Sequence, residues 1–295
     1  MRTTLSTLAA AVAAATFSVS ALATPITTDV IAVVDESGSM GGEHAWLSGM
    51  ISGLDAGLIT RAAGDPVSAQ YGLVGFGGSS SHGTTGHQHN VGGGQFGTAT
   101  EFGTATSGLT LGGYSEDGYS GINTALNYNL RGNAATNIIL VTDEDRDVEQ
   151  AGLNYSNILS ALQNQDALLN AVLNISVSCG DGRTALGVSD DGAGGLTGYT
   201  ATLNGGFTSC TGATVVSGFG TTVNDYVNLA LASGGAAWDL NQLRAGGQTA
   251  ASFTAAFIDI KVEEIVTQQV PEPAGLGLLG LGLAGLGFMR KRKDA

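Results

Sequence analysis

The sequence predicts an α/β protein with a doubly wound, mostly parallel sheet that is flanked by helices. Two strongly apolar runs, residues 30–34 and 137–142, are typical of central strands that are buried on both faces. Segments with helical spacing of apolar residues alternate with strands along the chain, and this order indicates parallel strands joined by crossover helices. The stretch between the two ends of the chain, about 250 residues, is long enough for one such domain.

The spacing of apolar residues and the positions of glycine predict the elements in order. After the first strand, apolar residues three and four apart predict a helix over 44–59, and the run at 70–76 predicts the second strand. The later elements are predicted, in chain order, as a short strand at 95–102, a helix at 122–130, a strand at 137–142, a helix at 155–173, a strand at 174–178, a helix at 223–232, a strand at 236–240 and a helix at 250–266. Residues 180–222, rich in glycine and threonine, are predicted to be an insertion.

Oxygen-bearing side chains follow two of the predicted strands. Asp35, Ser37 and Ser39 alternate where the first strand opens into a loop, so that their side chains can converge. Asp143 follows the strand at 137–142. Because ligands of parallel sheets bind beyond the carboxyl ends of the strands, we expect the two aspartates to belong to one site. Hard oxygen donors suit Mg²⁺, Mn²⁺ or Ca²⁺ and do not suit zinc.

The Asp-Glu-Ser-Gly-Ser segment at 35–39 resembles the DxSxS signature of the von Willebrand factor A (vWA) domain, which begins the metal-ion-dependent adhesion site (MIDAS) of that family. The resemblance covers roughly 28–266 without the insertion. It implies that Ser120, in the place of the usual threonine, and Asp143 complete the metal site, with Thr124 as the alternative to Ser120. It also implies Mg²⁺ as the ion, and binding of an acidic group from a partner. The alternatives are a simple glycine and serine turn, or a metal that serves stability alone.

The N-terminus has the features of a signal peptide, and these predict export. Arg2 precedes an apolar stretch and a small-residue cleavage pattern, so we assign residues 1–23 to the signal and 24–269 to the vWA-like domain. In an oxidising compartment the two cysteines of the chain, Cys179 and Cys210, are expected to form a disulfide. Two free thiols are the alternative.

The C-terminus, residues 270–295, resembles the PEP-CTERM sorting signal of Gram-negative bacteria. Pro271, Glu272 and Pro273 precede an apolar stretch at 274–289 and a basic cluster. The resemblance implies recognition by an exosortase, with anchoring in the membrane until the tail is removed, and then delivery to the cell surface or an exopolysaccharide matrix. An ordinary single-span anchor is the alternative reading of the apolar stretch.

Acidic residues dominate the composition. The chain has 25 acidic and 11 basic residues and a net charge of −14. Such a surface repels nucleic acid and attracts divalent cations, so we expect no nucleic-acid partner.

Two further groups of polar side chains could hold metal ions. His82, His87 and His89 have a spacing that could ligate a transition metal, although exposure in a glycine and serine loop is the simpler interpretation. A second group is acidic and could bind a cation or remain solvated: Glu144, Asp145, Asp147 and Glu149.

The sequence therefore predicts an exported binding protein rather than an enzyme. Its partner is expected to be a protein or an acidic polysaccharide that binds through the metal. A structural matrix component with a stabilising metal is the second hypothesis, and a metal-dependent hydrolase that uses the histidine loop is the third. The chain has no nucleophile-elbow motif and no phosphate-binding Gly-Lys-Ser/Thr motif.

Overall fold

The computed structural model describes residues 25–79 and 81–269. The predicted signal peptide, the Pro271-Glu272-Pro273 motif and the predicted membrane segment at 274–289 lie outside the described residues. Within the described ranges, no helix combines the length and the apolar character that crossing a membrane requires.

Twelve strands and seven α-helices make up this part of the chain. The strands are β1 (Ile26–Asp35), β2 (Val67–Phe76), β3 (His87–Gln88), β4 (Phe96–Gly97), β5 (Ala135–Thr142), β6 (Ala167–Leu173), β7 (Ile175–Ser178), β8 (Gly187–Asp190), β9 (Leu196–Ala201), β10 (Phe207–Cys210), β11 (Thr214–Gly218) and β12 (Ala236–Asp239). The α-helices are α1 (Gly41–Ala62), α2 (Ala99–Ala105), α3 (Gly118–Leu126), α4 (Tyr155–Asn164), α5 (Asn228–Ala232), α6 (Leu240–Arg244) and α7 (Gly247–Gln269). A 3₁₀ turn lies at Thr106–Gly108 and a π-helical turn at Val223–Val227.

The central sheet is parallel in its middle and antiparallel at both edges. Its strand order is β10-β9-β8-β12-β6-β5-β1-β2-β3, with β4 also paired to β2. The pairs from β12 through β6, β5 and β1 to β2 are parallel. Strand β1 lies between β2 and β5, and every one of its residues is buried, as expected for a central strand with an apolar sequence.

Helices cover both faces of the sheet, which confirms the predicted doubly wound class. On one face, α1 and α7 pack against Val30, Ala32 and Val34 of β1. On the other face, α3, α4 and α5 pack near Ile31 and Val33. Successive residues of a strand point to opposite faces, so this single strand contributes to both halves of the core.

The predicted helix at 155–173 is wrong in its second half. Helix α4 ends at Asn164, Asp166 adopts a left-handed backbone conformation (φ 51°), and Ala167–Leu173 form β6. Strand β6 is a central strand, paired on its two sides with β5 and β12. A short apolar run fits either a buried strand or a buried helix, and the sheet position decides between them.

Two other regions also differ in detail from the predictions. The segment predicted as a strand at 95–102 has only β4, and then becomes α2, which begins with a capping box between Thr98 and Glu101. Residues 180–222 extend the main sheet by β8, β9 and β10 and supply β11, which pairs with β7. The disulfide between Cys179 and Cys210 joins the end of β7 to the end of β10.

The two ends of the described domain meet. The backbone N–H of Thr27, at the start of β1, donates to the side-chain Oε1 of Gln269, the last residue of α7, at 3.1 Å. This contact lies at the amino end of β1, whereas the predicted site residues lie at the carboxyl end.

Candidate metal centre at the carboxyl ends of the central strands

The candidate site lies where the direction of chain winding reverses. From β1 the chain passes through α1 to β2 on one side, and it later places β5 on the other side of β1. Ligands of open α/β sheets bind at such a switch point, beyond the carboxyl ends of the strands. Asp35 is the last residue of β1, and Asp143 directly follows β5.

Four of the five predicted ligands are joined by hydrogen bonds into what we call the oxygen cluster: Asp35, Ser37, Ser39 and Asp143. The backbone N–H of Ser37 donates to Asp35 Oδ1 at 2.7 Å. The Ser37 and Ser39 hydroxyl oxygens are 3.2 Å apart, and Ser39 Oγ donates to Asp143 Oδ1 at 2.9 Å. The alternating acid and hydroxyls at the end of β1 therefore converge with Asp143, which follows β5.

Asp35 is a buried carboxyl that accepts hydrogen bonds from uncharged protein groups. Burial is the main cause that raises its pKa to about 7, and the nearby charge of Asp143 raises it further. The hydrogen bonds from Ser37 and from the Thr142 hydroxyl, which donates to Asp35 Oδ2 at 2.8 Å, oppose this rise. Around neutral pH the Asp35 carboxylate is therefore held in an environment that a cation would stabilise.

Arg244, which sequence reasoning missed, binds the second oxygen of Asp143. A guanidinium nitrogen donates to Asp143 Oδ2 at 2.8 Å, and Nε donates to Glu43 Oε1 at 2.7 Å. The arginine lies at the end of α6, about 100 residues beyond Asp143. Only the packing of α6 beside the first turn of α1 brings these charges together, so no local pattern could have revealed the contact.

Ser120, the fifth predicted ligand, uses its hydroxyl elsewhere. It lies in α3, and its Oγ accepts the backbone N–H of Gly86 at 2.6 Å. Thr124, the alternative, donates its hydroxyl to the Gly86 carbonyl at 3.1 Å. Both candidates therefore clamp the 78–95 loop onto α3. Among the described residues, neither is hydrogen bonded to the oxygen cluster.

Glu116 takes a place near Asp35 that the sequence did not indicate. A side chain at Gly77 would lie 3.1 Å from Asp35 Oδ1 and 3.2 Å from Glu116 Cγ, so the two acids flank this glycine. Burial, followed by the charges of Asp35, Glu144 and Asp147, raises the pKa of Glu116 to about 7. Glu116 thus adds a further carboxyl beside the oxygen cluster.

Glu36, between Asp35 and Ser37, is the centre of a second group, which we call the histidine cluster: Glu36, His82, His87 and His89. Glu36 Oε1 is 3.0 Å from His82 Nδ1 and 3.4 Å from His89 Nε2, and Oε2 is 2.7 Å from His87 Nε2. One ligand atom from each residue lies within 4.8 Å of every other. The histidines that the sequence placed in an exposed loop therefore surround one buried carboxylate.

The electrostatics of the histidine cluster differ from those of the oxygen cluster. Burial acts to raise the pKa of Glu36, but the three imidazoles and the Thr110 N–H outweigh it and hold that pKa well below its usual range. Burial acts to lower the pKa of His87, but the contacts with Glu36 and the Thr85 carbonyl raise it overall. Glu36 is therefore ionised beside its rings, whereas Asp35 retains a proton up to about neutral pH.

Comparison with known proteins identifies the C-terminal signal. Residues 269–293 match the PEP-CTERM protein-sorting motif. The chain carries an exosortase sorting signal. This motif implies recognition by an exosortase, export and a C-terminal membrane anchor in a Gram-negative bacterium. No curated protein matches the chain in sequence.

Several solved structures with similar folds contain von Willebrand factor A domains. Proximal thread matrix protein 1 of the mussel byssus is 15% identical, with 51% of this chain and 37% of that chain covered and a TM-score of 0.36. A second form of that protein, described with a zinc-occupied MIDAS motif, is 14% identical over 51% of this chain and 37% of that one, with a TM-score of 0.37.

Two further structures extend the comparison. A von Willebrand factor type A protein from Catenulispora acidiphila is 14% identical over 50% of this chain and 33% of that one, with a TM-score of 0.35. The SpRpn10 VWA domain is 12% identical over 50% of this chain and 75% of that one, with a TM-score of 0.34. The chain thus spans about a third of the length of the mussel and Catenulispora proteins. At these identities and scores, the chemistry of the two clusters has to be argued from their own residues.

Proposed function

We propose that this chain is an exported surface or matrix protein that holds a divalent cation, Mg²⁺ in the first place and Mn²⁺ or Ca²⁺ in the second, at the oxygen cluster. Through it the protein binds an acidic group of a protein or polysaccharide partner. The observation that carries the proposal lies at the switch point of the sheet. There a chain of hydrogen bonds runs from Asp35 through the backbone N–H and the hydroxyl of Ser37 and the hydroxyl of Ser39 to Asp143.

The donor set fits such an ion. Ser37, Ser39 and the two aspartates offer hard oxygen atoms, which suit Mg²⁺ and Ca²⁺. Their charge is limited, because Arg244 already binds Asp143, and burial raises the pKa of Asp35 and of the neighbouring Glu116 to about 7. When bound, the cation would keep an excess of positive charge for an acidic group of the partner.

An apolar rim beside the oxygen cluster, formed by Leu111 and Tyr114, supports a protein partner in particular. Leu111 lies against Gly41 at the start of α1, and Gly113, next to Tyr114, pairs with Ser37. Both apolar side chains are exposed, with Tyr114 at 78%. Aromatic and large apolar side chains around a polar anchor are typical of protein-binding surfaces.

A structural role is the second candidate, and Arg244 favours it. Because the guanidinium bridges Asp143 and Glu43, the domain partly compensates its own site charge without an ion. A metal in such a site could serve the fold, and the sorting signal would then place a matrix component. We propose a binding role over both this and a hydrolytic one, because the switch-point position and the apolar rim support ligand capture.

Replacement of Asp35 by Asn tests the proposal, with Asp65→Asn as the matched control. Asp65 is an exposed acid before β2, at the opposite end of the sheet, and its replacement changes the net charge equally. We expect the full-length protein, purified in detergent, to bind Mg²⁺ by calorimetry and to retain a partner from native extracellular matrix only without chelator. Asp35→Asn should lose both properties and Asp65→Asn should keep both.

The outcomes separate the candidates. Partner retention that persists in excess chelator would contradict the proposal. Mg²⁺ binding that raises the melting temperature without any partner capture would favour the structural role.

A further inference from the structure

The histidine cluster has the composition of a transition-metal site rather than of a simple ion pair. Three imidazole nitrogens and one carboxylate are the ligands that Zn²⁺ takes in proteins, whereas Mg²⁺ and Ca²⁺ take oxygen. The three rings are packed at centroid distances of 5.2–5.4 Å around Glu36. All four side chains come from segments that the fold holds at one point, the end of β1 and the 78–95 loop.

Buried nitrogen and oxygen atoms of the histidine cluster point to a common ligand. His82 Nδ1 has hydrogen-bond geometry toward Glu36 Oε1. His87 Nε2 is only 2.7 Å from Glu36 Oε2, yet the two atoms do not have the geometry of a hydrogen bond. Within the described part of the chain, Glu36 Oε2, His87 Nε2 and His89 Nε2 are buried atoms without a hydrogen-bond partner. Buried polar atoms are nearly always paired, so three of them facing one another mark a place for a ligand.

A backbone contact prepares His87 to act as a metal ligand. Its Nδ1 is 2.9 Å from the Thr85 carbonyl oxygen, which can only accept a hydrogen bond. In the neutral ring the proton therefore lies on Nδ1, and Nε2 carries the free electron pair. Hydrogen bonds of this kind to the second ring nitrogen orient histidine ligands in metal proteins.

The surroundings fix the cluster in place. The Thr110 N–H donates to Glu36 Oε1 at 2.8 Å, and the Glu36 carbonyl accepts the N–H groups of Gly112 and Gly113. Ser120 and Thr124 hold Gly86, next to His87, against α3. An ion bound here would therefore connect the loop that follows β1, the 78–95 loop and the 109–113 loop.

We propose that Glu36, His82, His87 and His89 form a second metal site that binds Zn²⁺ or a chemically similar transition metal, separate from the oxygen cluster. The site stabilises the loops that surround the oxygen cluster. It does not depend on the proposed adhesion function, because its donors, its ion and its side of β1 are different.

Cobalt substitution of the full-length protein tests this site directly. Co²⁺ bound by three imidazoles and a carboxylate gives visible absorption bands, and Zn²⁺ should abolish them by competition at one equivalent. We expect His87→Ala and His89→Ala to weaken Zn²⁺ binding at least about 10–100-fold, the loss seen when even an outer partner of a metal ligand is removed.

Two control variants keep the result interpretable. His44→Gln removes the other histidine of the chain, which bonds the Asp35 carbonyl, and Gln88→Ala changes the exposed residue between two proposed ligands. Both should retain the cobalt bands and the zinc affinity. Asp143→Asn should retain them as well, which distinguishes this site from zinc bound at the oxygen cluster.

Two results would overturn the proposal. The first is a wild-type protein that binds neither Co²⁺ nor Zn²⁺ after dialysis against chelator. The second is a folded His87→Ala, His89→Ala double variant, checked by circular dichroism, that binds Zn²⁺ as tightly as the wild type. Since the wild-type measurement needs no variant, a variant that fails to fold leaves the test in force.

Discussion

The oxygen cluster and the histidine cluster are adjacent in sequence but opposite in chemistry. Asp35 belongs to the first and Glu36 to the second, and both acids are completely buried. Asp35 meets hydroxyls and backbone N–H groups, and its pKa rises to about 7, whereas Glu36 meets three imidazoles and its pKa falls. The same type of group, one residue apart, is thus driven in opposite directions by its surroundings.

The alternating direction of side chains along a strand explains why Asp35 and Glu36 have different surroundings. Consecutive residues of an extended chain point to opposite sides, so the end of β1 directs one carboxyl toward β5 and the next toward the 78–95 loop. Neighbouring acids in one loop can therefore serve two sites with different donor atoms. Their adjacency in sequence is no guide to a shared ion.

The largest expected effect is a crossed loss of metal binding. Asp35→Asn should abolish Mg²⁺ binding and leave the cobalt bands unchanged, and His87→Ala should do the reverse, because the clusters share no donor atom. Calorimetry with Mg²⁺ and absorption with Co²⁺, on both variants, measure the four results. If either variant lost both activities while remaining folded, the two clusters would be one site.

Removal of the disulfide should lower stability and leave both clusters unchanged. Cys179 and Cys210 close a loop with a sequence separation of 31 residues, and a loop of this size contributes about 3–4 kcal/mol to the free energy of unfolding on the loop-entropy model. Urea denaturation of the Cys179→Ser, Cys210→Ser variant measures the loss. Metal affinities of that variant, determined below the transition, should equal those of the wild type.

The pH dependence of stability should differ with and without Mg²⁺. In chelator, the raised pKa values of Asp35 and Glu116 mean that the folded state keeps protons which the unfolded chain releases above about pH 4. Their contribution therefore makes the protein less stable as the pH rises from 4 through 7, and His87, with its raised pKa, acts in the same direction above pH 6.5.

Thermal unfolding at pH 5 and pH 8 measures this difference. We expect a higher midpoint at pH 5 in chelator, and a smaller difference with saturating Mg²⁺, because the cation competes with the protons. Asp35→Asn should reduce the pH difference in chelator. An equal or greater midpoint at pH 8 in chelator would contradict the assigned shifts.

The smallest expected effect is at Arg244. Its replacement by Gln removes a positive charge from Asp143 and should tighten Mg²⁺ binding about five- to tenfold, on the order of 1 kcal/mol, without any change in the cobalt bands. Arg183→Gln, in an exposed pair with Asp181, is the control for net charge and should change neither. Weaker Mg²⁺ binding after Arg244→Gln would show that the arginine supports the site instead of opposing an ion.

Much of the fold could be predicted from local patterns, and the failures have a common cause. Strands β1, β2 and β5 contain apolar runs, and helices α1 and α7 bury residues three and four apart, such as Leu47, Met50 and Ile51 in α1. Strand β6 could not be separated from α4, because its sequence, Ala-Leu-Leu-Asn-Ala-Val-Leu, suits a helix as well as a central strand. Its position between β5 and β12 is a long-range property.

The site was predictable where the chain itself sets the spacing. Asp35, Ser37 and Ser39 lie in one loop, and Asp143 follows a readable strand, so their convergence could be expected. Glu116 lies in a loop and Arg244 in a short helix, and no spacing in the sequence predicts that either residue reaches the site. The histidine cluster had a visible signal in its three rings. Its carboxylate, Glu36, was hidden inside the motif assigned to the other site.

The bond between Thr27 and Gln269 has a consequence for orientation. Helix α7 is 23 residues long, about 34 Å, and it runs from the side of Arg244 to the start of β1. Residue 269, where the sorting motif begins, therefore lies at the pole opposite the oxygen and histidine clusters. Attachment through that segment would hold the domain by the end remote from both clusters and leave the proposed ion-binding loops at its free end.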